Sequence, residues 1–280
     1  MRSRKNQYTV TCHEVHDRCG AVVQQHVQLE DHGYKCRASV LLNDLFFAVT
    51  RVSSIFAAAR NLADAPTQQT VFNALVATLP EYDELEKRLN AALAHDLPKA
   101  LRRRAQTLAI DLTLIPYHGQ PQNNLDEIYR SQPKSGTSHF HAYATCYVVR
   151  KGRRFTIALT PVCRGESMEN VLRRLLHQAR AEGVKSRLLL LDRGFYSVAV
   201  IGYLKSARVA FLMPVIRRGR KPTGGKPATG TRAFAQWKKS GWSTHTLKTS
   251  KATKYGKTAK VKICVSCGNF AGKWGRHGRR

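Results

Sequence analysis

The segment SRLLLLD, residues 186–192, is the feature that most narrows the folds open to this chain. Four consecutive leucines do not alternate with polar residues, so the run reads as a strand buried on both faces, inside a sheet with helices packed against it. It ends in Asp192, followed at once by Arg193, Gly194 and the aromatics Phe195 and Tyr196. An ionised carboxylate is costly to bury unless it is paired or bound to metal. One explanation for Asp192 is local: it closes the strand and caps the next turn. The other is a shared site, because Asp111 in AIDLTLIPYHG is a second aspartate in an extended apolar setting.

The surrounding pattern gives the strand its neighbours. TLAIDLTLIPY is apolar and β-prone, while HFHAYATCYVV and RRFTIALTPV make two strands about a turn at Lys151 and Gly152. SMENVLRRLLHQARAEG is an amphipathic helix with Ser167 or a near neighbour as its cap and Gly183 as its stop. SVAVIGYLKSAR is a further helix and VAFLMPVI a further strand. Between Thr107 and Ile216 the order is therefore strand, hairpin, helix, buried strand, helix, strand. That order predicts an α/β mixed sheet with flanking helices and brings Asp111 and Asp192 onto adjacent strands.

Upstream, residues 38–97 repeat apolar residues at helical spacing, and LADAPTQQTVFNALVATL places a break before a capped short helix. That stretch suits either a helix-turn-helix or ordinary helical packing. Downstream, RRGRKPTGGKPATGTR reads as a loop or linker, and KYGKTAKVKICVSCGNF has room for one or two short strands. The expected divisions are 1–104, helical and suited to DNA binding; 105–216, the α/β core; and 217–280, a basic β-rich segment.

Charge selects the partner. Lys plus Arg number 47 against 18 Asp plus Glu, a formal +29. Residues 193–280 hold 21 Lys plus Arg and no acid, so +21 of that total lies in them. Such a field favours a polyanion, and the interleaved Trp237, Trp242, Tyr255 and Trp274 suit stacking on bases or sugars. No apolar run is long enough for a membrane span, and the N-terminus lacks the apolar stretch of a secretion signal. A soluble, cytoplasmic, nucleoid-associated protein with no membrane partner is expected. Seven cysteines at irregular spacing suit reduced thiols. Zinc is a further reading for Cys12, His13, His16, Cys19, His32 and Cys36, and for the Cys264–Cys267 pair, although the N-terminal spacing matches no standard finger and the C-terminal pair has no second pair after it. His139 and His141 share one face of their strand, where a solvated polar face explains them without metal.

Two carboxylates from adjacent strands, in a chain built to hold nucleic acid, suit Mg²⁺ or Mn²⁺, hard ions that take few carboxylates and keep their waters. Such ions assist phosphodiester cleavage and joining. IDLTLIPYHG, HFHAYATCYVV, LLLLDRGFYS and FLMPVIRRG, in this order, resemble the catalytic domain of insertion-sequence DDE transposases, over about residues 105–220. The resemblance implies an RNase H-like fold, with Asp111 on the first strand and Asp192 after the fourth as metal ligands and catalytic residues. It also implies double-stranded DNA, both transposon ends and target, as partner, and a homodimer on that DNA.

One part of the family pattern is missing. The third catalytic residue is a glutamate on a later helix, and no Asp or Glu follows Arg193. Asp126, Glu127, Glu166 and Glu169 are the upstream acids open to a substitute role. The chain reads as a truncated or frameshifted copy that stops within the β-rich insertion before that helix. DNA binding with weak or absent catalysis is the expectation, with a non-catalytic DNA-binding remnant as the alternative.

Overall fold

The computed structural model describes residues 10–63, 65–119, 127–248 and 258–265. Six helices come first: α1 (Cys12–Val27), α2 (Ala38–Thr50), α3 (Ile55–Asn61), α4 (Gln68–Thr78), α5 (Tyr82–Ala94) and the single turn α6 (Ala100–Arg103). Then follow β1 (Gln106–Pro116), β2 (Ile128–Lys134), β3 (Thr137–Arg150), β4 (Arg153–Pro161), α7 (Met168–Ala181), β5 (Ser186–Leu191), α8 (Val198–Ser206) and β6 (Phe211–Leu212). A hairpin of β7 (Gly241–Lys248) and β8 (Thr258–Val265) completes the described chain. Among the described residues no single helix is long and apolar enough to cross a membrane.

The main sheet runs β4-β3-β1-β5-β6, with β2 sharing the outer edge of β3. β1, β3 and β4 form an antiparallel meander, and β5 and β6 run parallel to β1. This is the mixed sheet with flanking helices that the order of elements implied, with one added strand. Glycine and cap chemistry place the breaks: Gly152 takes φ 69 in the β3–β4 turn, and the Ser167 side chain accepts from Asn170 N at the start of α7.

Three apolar clusters hold the chain together. The largest packs α7 and α8 against one face of the sheet: Leu108, Ile110, Leu189 and Leu191 meet Leu172, Leu175 and Leu204. A second joins α1, α2 and α4 through Leu41, Val71 and Leu75, with Leu85 and Leu89 of α5 packed against it. A third ties the β7–β8 hairpin to α8 through Ile201, Leu247 and Ala259.

The leucine run departs from its expected burial. Leu189 and Leu191 are enclosed, whereas Leu188 and Leu190 are only half-buried. The helices of the largest cluster cover one face, and Leu188 and Leu190 turn to the other, which is less shielded around β5. The helical segment 38–61 is also broken: α2 and α3 meet at 110° across residues 51–54, where Val52 takes φ 49 and Ser54 caps α3.

Asp44 of α2 is 1% exposed, and neither carboxylate oxygen has a hydrogen-bond partner among the described residues. Burial pushes its pKa above the ordinary carboxylate value. A folded-state pKa above the unfolded one means that ionisation opposes folding. The penalty is absent below about pH 4 and grows as pH rises through the unfolded value. Asp44→Asn is therefore expected to stabilise the fold by about 1 kcal/mol at pH 7 and to change little near pH 4, as read by urea unfolding at the two pH values.

Candidate functional site

Asp111 and Asp192 emerge at the same end of neighbouring strands. β1 and β5 are parallel with Ile110 opposite Leu191, so each aspartate is the residue directly after a paired position. Ile110 and Leu191 are 3% and 5% exposed and point into the helix-covered core. Successive side chains of extended backbone alternate faces, and Asp192 is itself extended at φ −74, ψ 165. Both carboxylates therefore turn to the less covered face, and both residues are exposed. Across the other edge of β1, Asp111 stands opposite Thr145 of β3.

The sequence after Asp192 explains how it is held. Residues 193–195 form one 3-10 turn, with Phe195 N donating to the Asp192 carbonyl at 3.1 Å. Phe195 and Tyr196 are 1% and 4% exposed, which anchors the turn in the interior. The Ser197 hydroxyl then accepts from Val200 N and starts α8. The Asp192 side chain makes no cap bond, so capping does not account for the carboxylate. Asp111 Oδ1 accepts from Leu112 N at 2.9 Å. A Cβ at Gly194 would stand 4.0 Å from Asp192 Oδ2, leaving the flank of that carboxylate uncrowded.

The upstream acids are occupied elsewhere. Glu166 is paired with Arg174 and accepts from Cys163 N, and Glu169 lies 2.6 Å from Arg173. Glu127 also has an interaction partner, and Asp126 lies outside the described residues. Among the described residues no group of three or more His, Cys, Asp and Glu side chains is gathered for a metal ion. Cys12 and Cys19 are exposed on α1 and Cys36 is buried, while Asp17 lies 3.3 Å from both His13 and His16. His141 packs edge-on against Tyr117. Cys267, Tyr255 and Trp274 lie outside the described residues.

The basic segment forms the surface beside β6 and α8. Lys260 and Lys262 lie on β8, and Lys262 Nζ stands 6.0 Å from the ring of Trp242, a residue 66% exposed. No lysine or arginine from Arg193 onward forms an ion pair among the described residues. The sequence reading missed β7, whose GWSTHTLK alternates exposed and half-buried residues against β8.

A family model described as "Transposase DDE domain" matches residues 102–261. No curated protein matches the chain. Solved structures similar to it include a piggyBac transposase synaptic complex with hairpin DNA, at 11% identity and a TM-score of 0.38, covering 97% of this chain and 56% of that one. A Mos1 transposase paired-end complex with left transposon end follows at 13% identity and a TM-score of 0.24, covering 75% and 61%. A Mos1 mariner paired-end complex with Mn has 13% identity, a TM-score of 0.23 and coverages of 74% and 69%. The chain spans about 56% of the length of the piggyBac chain it matches.

Proposed function

This chain belongs to the transposase DDE domain family, and from that premise we propose that it acts on DNA in transposition, with Asp111 and Asp192 as the ligands of a catalytic divalent metal. The observation that carries the reading is the register of Ile110 with Leu191, which sets both carboxylates at one strand end and on one face. Two exposed oxygen donors, one without a capping bond, fit a hard ion such as Mg²⁺ or Mn²⁺ that fills its remaining positions with water and phosphate oxygens. The ion would supply charge stabilisation and an activated oxygen nucleophile for phosphodiester cleavage and strand transfer.

The chain's own residues do the positioning. β1 and β5 hold the two aspartates on rigid strands, and the Phe195–Tyr196 anchor fixes the backbone that follows Asp192. The basic hairpin beside β6 and α8 would carry the DNA backbone. In this reading double-stranded DNA, as transposon end and target, is the partner, residues 1–104 are an additional DNA-binding region, and two copies act together on paired ends. These 280 residues carry two of the family's three carboxylates, since none follows Arg193. Small misplacements of a reacting phosphate are costly, so strand transfer by these residues alone is weak or absent.

Asp111→Asn and Asp192→Asn are each expected to weaken Mn²⁺ binding at least about tenfold, roughly 1.4 kcal/mol, with duplex affinity in chelator unchanged. Mn²⁺ titration followed by electron paramagnetic resonance reads the first and a gel shift the second. Unchanged Mn²⁺ affinity in the double variant, or Mn²⁺-dependent strand transfer that survives it, overturns the site. Tight duplex binding without measurable metal binding in the unmodified chain favours a DNA-binding role without catalysis.

A further inference from the structure

A cavity of about 360 Å³ opens where β1 and β5 begin, at the end of the sheet opposite Asp111 and Asp192. Ser186 in its wall is six residues before Asp192, roughly 20 Å along the strand. Leu108 and Val184 contribute to an apolar floor, and Arg180, Lys185 and Arg208 stand at the rim. All three cations are exposed. Glu182, the nearby acid, is engaged by Arg102 and Gln178 and does not line the cavity. The Ser186 hydroxyl is enclosed with no hydrogen-bond partner among the described residues, so it is a donor that a rotamer change can offer to an occupant.

Backbone strain marks the same place. Arg208 directly follows Ala207, the C-cap of α8, and takes φ 53. Gly183 follows the C-cap of α7, takes φ 76 and lines the same cavity. Left-handed backbone disfavours any residue with a Cβ, and glycine is the usual choice after a helix end. Cations complement the negative end of a helix, which accounts for Arg180 in the last turn of α7. It does not account for Arg208, because Lys205 already supplies a cation in the last turn of α8 without strain. Nor does it account for Lys185, which lies beyond α7.

We propose that this cavity is a phosphate-binding site, with Arg180, Lys185 and Arg208 as its cations and the Ser186 hydroxyl as a neutral donor. The occupant is a phosphate group, either free or as one phosphodiester of DNA. Only the second source rests on the DNA-binding reading.

Phenylglyoxal labelling of the full chain, resolved arginine by arginine through peptide mass spectrometry, tests it with two probes: inorganic phosphate and a duplex. At a probe concentration about four times its Kd, labelling of Arg180 and Arg208 slows about fivefold, while Arg51 in the helical region is unaffected by inorganic phosphate. Protection by phosphate identifies a free anion as a sufficient ligand; protection by duplex alone assigns a phosphodiester. Arg208→Gly removes the strained side chain, so the urea midpoint rises while protection of Arg180 falls at least about threefold. Arg180 labelled at one rate with and without either probe, or equally protected in the Arg208→Gly chain, overturns the site. A gel shift on the same samples reports duplex binding separately, so loss of this site and failure of the DNA-binding reading are distinguishable.

Discussion

Duplex binding by this chain is expected to fall about 10³-fold between 50 and 200 mM salt, the loss that goes with roughly six neutralised phosphates. The magnitude follows from where the charge sits. Residues 1–192 carry 26 Lys plus Arg and 18 Asp plus Glu, a net +8, whereas the last 88 residues carry +21 with no acid to offset it. Upstream cations such as Arg18, Arg88, Arg173 and Arg174 are already held by carboxylates. Among the described residues those of the basic segment are not, so a phosphate meets them without displacing a carboxylate. Replacing Lys238, Lys239, Lys260 and Lys262 by glutamine is expected to make the log–log salt slope shallower by about 3 to 4. Exchanging Lys35, Arg37, Lys99 and Arg103 instead should change it less. A slope left unchanged by the Lys238, Lys239, Lys260 and Lys262 replacement would remove the basic hairpin from the interface. Salt-independent binding would remove the polyanion reading altogether.

The core was legible in the sequence because its signals are local and redundant. The Lys151–Gly152 turn, the Ser167 cap, the Gly183 stop and the leucine run each mark a boundary by a physical requirement, and all four fall where expected. What was missed had weaker signals. α1 is polar enough to hide its helical pattern, yet its start is written in Thr11 and Glu14, whose side chains and backbone form a reciprocal cap. β2 and β3 are joined by Ser135 and Gly136 at φ 54 and 78, a two-residue turn whose Ser-Gly signal is short. The half-exposure of Leu188 and Leu190 was not readable, since it depends on which face of the sheet the helices cover. Asp111 and Asp192 stood out as carboxylates in apolar strands, but the alignment of Ile110 with Leu191 is a property of register. The cavity joins Arg180 at the end of α7 with Lys185 before β5 and Arg208 after α8, and has no motif.

Asn90→Ala is expected to destabilise the fold by about 2 to 3 kcal/mol. Among the described residues β4 pairs with β3 alone, so its other edge presents backbone groups that need partners. Asn90 of α5 supplies both at once: Leu159 N donates to Asn90 Oδ1 at 2.8 Å, and Asn90 Nδ2 donates to the Leu159 carbonyl at 2.8 Å. Its side chain thus takes the place of one residue of a neighbouring strand, and it is 4% exposed. Tyr82, donating to Tyr143 at 3.1 Å, adds a second link between α5 and the sheet. Alanine leaves a donor and an acceptor of Leu159 without partners, and Leu159 is half-buried, which keeps the estimate below the full penalty for two enclosed groups. Asn90→Asp separates the two bonds. The introduced carboxylate still accepts from Leu159 N, but when ionised it faces the Leu159 carbonyl oxygen; when protonated its hydroxyl donates there. Its folded-state pKa is then raised, so its ionisation penalty is absent below about pH 4 and grows as pH rises. Urea unfolding should show Asn90→Asp closer to the unmodified chain at pH 4 than at pH 7, with Asn90→Ala equally unstable at both. A pH-independent Asn90→Asp variant, or an Asn90→Ala variant of unchanged stability, would mean that the amide does not close the edge of β4.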